Sequence, residues 1–158
     1  MSIDYSKLAQ FTHRKVDDTI KKLADRYGHE YVKQIHNWAK STRHSHNKRN
    51  IPIAMCNLAL ISYAIIHPNC SLCNQRFIFN HNYYKRTLDV IDITKIPVES
   101  DNIQLLCCRC NSVKSNKTYQ QLLNEIEAIP YWWNMNKFTQ EQKSYFFNKI
   151  SYAVGATR

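Results

Sequence analysis

The sequence predicts an α+β protein, in which a small hairpin-and-helix core lies between helical flanks. Two Cys-x-x-Cys motifs, Cys70–Cys73 and Cys107–Cys110, are separated by 33 residues. Runs rich in Phe, Ile, Thr and Val between the motifs are typical of short strands. Apolar residues recur with helical spacing on both sides. We therefore expect a helical N-terminal region at 1–66, a core at 67–118 and a helical C-terminal extension at 119–158.

The N-terminal region is expected to hold three helices. Apolar periodicity predicts them over 5–25, from about Glu30 to Arg43 and from about Met55 to Ile66. Gly28 interrupts the pattern between the first two helices.

The stretch from Arg43 to Asn50 is basic and polar, and it is either a helix end or a loop. The chain carries a formal net charge of +10, which favours a polyanionic partner such as nucleic acid. We therefore interpret Arg43, Lys48 and Arg49 as nucleic-acid-binding residues. A solvated helix face is the alternative.

The core and the C-terminal extension contain further local signals. Strands are expected at 75–79, 87–93 and Ile103–Leu106, followed by a helix near the second Cys motif. Thr118 with Gln121, and Thr139 with Gln142, resemble capping boxes that begin two more helices. Between these helices, the aromatic run 131–133 favours core packing or a partner interface over base stacking.

Four cysteines in two close pairs can enclose one Zn²⁺ tetrahedrally, so Cys70, Cys73, Cys107 and Cys110 predict a structural zinc site. Buried structural thiols are the alternative, and Cys56 and Cys108 are expected to be ordinary thiols. No secretory signal or membrane-spanning run is visible in the sequence. We therefore expect an intracellular protein with reduced cysteines.

Three runs carry a family resemblance: LDVID at 88–92, DNIQLLC at 101–107 and CNSVKSN at 110–116. They resemble the HNH (ββα-metal) endonucleases, and most of all the zinc-stapled branch that includes phage enzymes and some rare-cutting restriction enzymes. The resemblance covers about residues 38–118. It implies a β-hairpin and helix on a zinc, and metal-dependent hydrolysis of DNA phosphodiesters.

The resemblance also implies roles for individual residues. Asp89 and Asn111 would bind a catalytic Mg²⁺ or Mn²⁺, because hard cations prefer oxygen ligands. The alternatives are an Asp89 that pairs with a Lys or Arg, a register in which Asp92 takes its place, and an Asn111 that caps the helix. Asn102 would hold the loop between the strands as part of the catalytic motif. Independently of the resemblance, Lys114 lies three residues after Asn111 on the same helical side, and we expect Lys114 and Lys117 to contact phosphates.

The sequence departs from the family where a general base is expected. Val90 follows Asp89 at the position where family members usually carry His, and sometimes Arg. We assign the base to His81, because imidazole titrates near neutrality. A module that binds nucleic acid or a protein partner without cutting is the alternative function. Cutting both strands of a duplex is easier for a twofold pair, so a homodimer is also expected.

Overall fold

The computed structural model describes residues 13–156 and confirms the α+β class, with seven α-helices and a two-stranded antiparallel sheet in that range. Residues 5–12 of the first predicted helix lie outside the described range. No described helix is both long and apolar enough to cross a membrane. In chain order the elements are α1 His13–Tyr27, α2 His29–Lys48, α3 Asn57–Ile66, β1 Arg86–Val90, β2 Ile103–Cys107, α4 Cys108–Lys114, α5 Tyr119–Ala128, α6 Trp132–Met135 and α7 Gln140–Ala156.

The described residues form two compact units. The first unit consists of 13–68 with Asp92–Ile103, and the second of Asn69–Ile91 with 104–156. The C-terminal helices therefore belong to the same unit as the Cys motifs. The segment between the two strands belongs instead to the unit of the N-terminal helices.

The first unit is built from α1, α2 and α3. Gly28 has a φ of 99° and separates α1 from α2, because such backbone geometry suits glycine. The basic stretch after Arg43 is helical as far as Lys48. Backbone hydrogen bonds attach the segment between β1 and β2 to the loop between α2 and α3. Ala54 N donates to Val98 O at 2.9 Å, and Val98 N donates to Pro52 O at 2.9 Å. The buried apolar side chains include Val32, Ile35, Ala39, Leu58, Leu60 and Ile61.

In the second unit, the strand predicted over 75–79 does not form. Arg76 makes only an isolated bridge with Asn69. Asn74 and Asn80 both have φ of 58°, a left-handed conformation that turns the chain and that Asn tolerates better than most residues. Turns at both ends of this short run leave no length for a strand.

Both predicted capping boxes are confirmed. Thr118 N donates to Gln121 Oε1 at 2.9 Å, and Gln121 N donates to Thr118 Oγ1 at 3.2 Å. Thr139 and Gln142 exchange the same pair of bonds at 3.1 and 3.2 Å. These reciprocal bonds satisfy backbone donors that a helix start otherwise leaves without partners, so they fix where α5 and α7 begin.

The aromatic run supplies core packing, as expected for its central residue. Trp132 is 1% exposed and packs against Phe138 and Phe146, with ring centroids 5.7 and 5.8 Å away. Tyr131 remains 72% exposed. The same cluster of buried side chains includes the four cysteines of the two motifs. This shared core explains why the C-terminal helices join the second unit.

A charged contact supports this core. Lys117 Nζ pairs with Glu125, whose other oxygen accepts a 2.8 Å hydrogen bond from Trp132 Nε1. The hydrogen bond from Lys117, followed by that from Trp132, lowers the pKa of Glu125 below its ordinary value of 4.5. The stability that this ionisation contributes is therefore present above the ordinary pKa and is lost as the pH falls below it.

We expect Glu125→Gln to be less stable than the wild type at pH 7, with a difference that shrinks as the pH falls below about 4.5. Urea unfolding of both proteins across this range measures the effect. Glu127→Gln, an exposed change on the same helix, serves as the matched control. A difference that does not depend on pH would contradict the assignment.

Candidate metal centre and buried polar network

The four cysteines of the two motifs meet in one buried cluster. Their sulfur atoms all lie within 4.8 Å of one another, and Cys73 Sγ is 3.8 Å from Cys107 Sγ. A tetrahedral zinc with Zn–S bonds of about 2.3 Å places its sulfurs about 3.8 Å apart. The cluster can therefore hold a metal ion such as zinc. Cys56 and Cys108 are half-buried thiols outside it.

Local backbone geometry brings the two motifs together. In the first motif, Asn74 N donates to Cys70 O at 2.9 Å, which closes a tight turn. In the second, Cys107 precedes α4 and its sulfur accepts a 3.4 Å bond from Cys110 N. Ser71 N donates to Leu105 O at 2.9 Å and so attaches the first motif to β2.

The electrostatics of the cluster favour a bound cation. Hydrogen bonds with Cys107 and Cys110 lower the pKa of the Cys73 thiol, whereas burial raises the pKa of Cys110. Four buried sulfurs at these distances cannot all ionise by themselves, because each thiolate opposes the next. A divalent cation removes this conflict by compensating the negative charge.

A second polar group is centred on Asp89, which is 6% exposed near the end of β1. Lys114 Nζ lies 3.1 Å from Asp89 Oδ1 and 2.9 Å from Oδ2. Gln104 Nε2 donates to Oδ2 at 2.8 Å, and Tyr119 donates its hydroxyl to Gln104 Oε1 at 2.9 Å. Burial is the main cause that raises the pKa of Tyr119, which keeps its hydroxyl protonated as a donor.

Gln104 and Tyr119 were not predicted as members of this network. Gln104 is a single polar residue within the buried strand β2, and a buried amide needs hydrogen-bond partners. That anomaly was a usable signal for Gln104. No such signal marked Tyr119, because it directly follows the helix cap and contacts Gln104 only in the folded protein.

Lys114 has an internal role that differs from the expected phosphate contact. Its side chain is 4% exposed, so its ammonium is held by Asp89 and is not presented to solvent. Asn111 is half-buried and precedes Lys114 by three residues on α4, which places both on one face of the helix. The two predicted metal ligands therefore belong to elements that pack together, although Lys114 already neutralises the carboxylate.

His81 is held within its own turn. Its Nδ1 accepts hydrogen bonds from Tyr83 N at 3.1 Å and Tyr84 N at 3.2 Å. In a neutral ring this leaves the proton on Nε2, so taking a proton at Nδ1 would break both bonds. His81 O also accepts a hydrogen bond from Lys85 N. Asp89 follows Lys85 by four residues, which span about 13 Å of chain at the rise of a β-strand. The role of His81 as general base stays a prediction, and these contacts do not support it.

Asn102 fixes the segment between the strands within the first unit. It is 6% exposed. Its Nδ2 donates to Asp92 O at 2.8 Å, and its Oδ1 accepts from Asp92 N at 2.8 Å. A carboxamide that pairs with both backbone groups of one residue acts as a clamp on that residue.

Asn102→Ala is expected to destabilise the first unit by about 1–3 kcal/mol, because it removes two hydrogen bonds to the half-buried backbone of Asp92. Urea denaturation measures the loss. Asn47→Ala, on the exposed side of α2, is the control. A loss no larger than that of the control would show that water replaces the clamp.

The predicted nucleic-acid-binding residues divide into two groups. Arg43 donates to Asn57 Oδ1 at 2.7 Å and to Ile53 O at 3.1 Å, so it joins the end of α2 to the start of α3. Lys117 is paired with Glu125, as described above. Lys48 and Arg49 remain exposed. These two residues are therefore the ones of the predicted set that are open to a phosphate.

Comparison with protein-family models, curated proteins and solved structures gave no match to this chain. The proposed function therefore depends on the chemistry and geometry of the residues themselves.

Proposed function

We propose that this chain is a metal-dependent DNA endonuclease of HNH type, with a ββα-metal core formed by β1, β2 and α4. The observation that supports it best is the contact between Asp89 and the α4 face that carries Asn111. Through this contact, the strand that carries the Asp89 carboxylate packs against the helix that carries the Asn111 carboxamide. Two oxygen ligands for one cation require such neighbouring elements.

Zinc in the Cys cluster is the structural part of this proposal. It would fix the start of α4 against β2 and the first motif, and so hold Asn111 opposite β1. Mg²⁺ or Mn²⁺ at Asp89 and Asn111 would supply a Lewis acid for the scissile phosphate. Lys114 must then release Asp89 and move its ammonium toward the phosphate. Lys48 and Arg49 would contact the DNA backbone.

A second candidate function is a zinc module that binds nucleic acid without cutting it. The ion pair between Asp89 and Lys114 favours this candidate, because both carboxylate oxygens already have partners. Val90 also favours it, since a buried valine cannot take a proton from water. The two candidates differ in whether a divalent ion displaces Lys114.

The deciding experiment is nicking of supercoiled plasmid by the zinc-loaded protein, with Mg²⁺ or Mn²⁺ against EDTA. We expect nicking that needs the added metal and is lost in Asn111→Ala. Asn116→Ala, an exposed change just after α4, is the matched control and should cut normally. Zinc content and thermal melting of both variants establish that they are folded.

Absence of nicking with either metal, combined with retained binding of duplex DNA, would favour the non-cutting module. Loss of both nicking and DNA binding would overturn both candidates. Equal nicking by the wild type and Asn111→Ala would place the cutting site elsewhere.

A further inference from the structure

The second unit contains a cavity of about 370 Å³ that the proposed cutting site does not use. Its walls come from the turn before β1, the side of α4 and the end of α6. None of its lining residues belongs to the Cys cluster or to the Asp89 network. The size falls within the range of small-ligand sites. The residues that matter for its chemistry are Asn82, Tyr83, Ser112, Asn136 and Lys137.

The charge of the lining selects against cations. Arg109 and Lys137 both line the cavity, and no aspartate or glutamate does. A cavity with two cationic residues and no carboxylate attracts an anionic ligand and repels a metal ion. The guanidinium of Arg109 is already bound to Lys137 O and Gln142 Oε1, so Lys137 supplies the more available cation.

An aromatic ring lies beside that cation. Tyr83 is 46% exposed, and Lys137 Nζ is 5.7 Å from the centroid of its ring. A planar base can stack on an exposed tyrosine, and this stacking does not depend on base identity. The ammonium beside the ring is placed where a phosphate attached to the stacked group would be neutralised. Tyr83 and Lys137 are thus suited to the base and to the phosphate of one nucleotide, respectively.

Short polar side chains contribute to the lining, beside the less polar Cys108, Val113 and Met135. Asn82 and Asn136 carry carboxamides, and Ser112 carries a hydroxyl. Carboxamides offer a donor and an acceptor on one plane, which suits the hydrogen-bonding edge of a base. Asn136 Nδ2 donates to Trp132 O at 2.9 Å, so its Oδ1 is the atom left to accept from a ligand.

The walls are fixed before any ligand arrives. Arg109 Nη1 donates to Lys137 O at 2.5 Å, and Arg109 N donates to Tyr83 O at 3.1 Å. One residue therefore bonds to both sides of the cavity. A site whose walls are already ordered loses less conformational entropy on binding.

We propose that this cavity binds one nucleoside phosphate unit, with the base stacked on Tyr83 and the phosphate at Lys137. This inference extends the proposed function, because the nucleic acid substrate is one source of such a unit. An unpaired nucleotide in DNA can enter the cavity, whereas a base stacked inside an intact duplex cannot. A free nucleotide is the other source with the same chemistry.

The test compares binding of the zinc-loaded full chain to three ligands: a matched duplex, the same duplex with a single-nucleotide bulge, and adenosine monophosphate. Fluorescence anisotropy serves for the DNAs and calorimetry for the nucleotide. Tyr83→Ala should weaken binding to the bulged duplex by about tenfold or more, and binding to the matched duplex by less than about twofold. Tyr83→Phe, which keeps the ring, should bind like the wild type. Lys137→Ala should weaken the bulged complex and lower its salt dependence by about one phosphate contact.

Each outcome bears on the cavity separately from the proposed function. Unchanged affinity of Tyr83→Ala for the bulged duplex and for the nucleotide overturns the proposal that the cavity binds a nucleoside phosphate, whether or not the protein nicks plasmid. Nucleotide binding that needs Tyr83, without a preference for the bulge, supports the cavity with a free nucleotide as its ligand. Binding to the bulge that needs Tyr83, in a protein that never cuts, supports the cavity and argues against the nuclease. If the wild type binds none of the three ligands, both the nucleotide-binding role of the cavity and the proposed function are overturned. Melting curves and zinc content of each variant show that it is folded.

Discussion

Cys110→Ser is expected to abolish binding of the proposed zinc and to unfold the second unit. Cys110 is fully buried, and its sulfur lies within the cluster that joins both motifs. Structural zinc supplies on the order of 10 kcal/mol of apparent folding free energy in small zinc modules, which equals or exceeds the stability of many domains. Elemental analysis and far-ultraviolet circular dichroism measure the two losses together. Chelation of zinc from the wild type should have the same effect.

Cys108→Ser is the matched control for this change. It alters a thiol two residues away, on the same helix, that is half-buried and outside the cluster. We expect it to keep one zinc per chain and a melting temperature close to that of the wild type. Normal melting of Cys110→Ser, or of the chelated wild type, would contradict a structural metal and leave only a buried thiol cluster.

Lys114→Met is expected to destabilise the second unit by about 3–5 kcal/mol, because it leaves the buried Asp89 carboxylate without its cation. Gln104 would remain as a hydrogen-bond donor to the carboxylate, but an amide carries no compensating charge. Urea unfolding at pH 7 measures the loss. The double variant Asp89→Asn with Lys114→Met should recover most of it, since neither side chain is then charged.

The control for this prediction is Lys95→Met. Lys95 and Asp92 are 3.8 Å apart, but Lys95 is 73% exposed, so water and salt already screen the pair. We expect no measurable change from this substitution. If Lys114→Met proved equally neutral, Asp89 would be hydrated in solution, and its carboxylate would be more accessible to a divalent ion than the structure indicates.

Part of the site could be predicted because it depends on spacing alone. Two residues between cysteines let both sulfurs of a pair face one point, so the Cys cluster follows from the motif. The capping boxes depend on a three-residue spacing and were equally readable. The partners of Asp89 were not readable in this way. Lys114 is 25 residues away and Gln104 is 15 residues away, and several other lysines were equally plausible from sequence.

The sequence by itself determined the α+β class, the cysteine cluster, the starts of α5 and α7, and the positive charge. Each of these depends on composition, on residue patterns or on short spacings that can be read along the chain, and the two Cys pairs can share one tetrahedral ion. Only the tertiary structure decided that Lys114 lies buried against Asp89, that Arg43 binds Asn57, and that the C-terminal helices pack on the Cys motifs. The physical reason is that burial and charge pairing depend on which distant segments share a core, and a lysine in the sequence carries no mark of its partner.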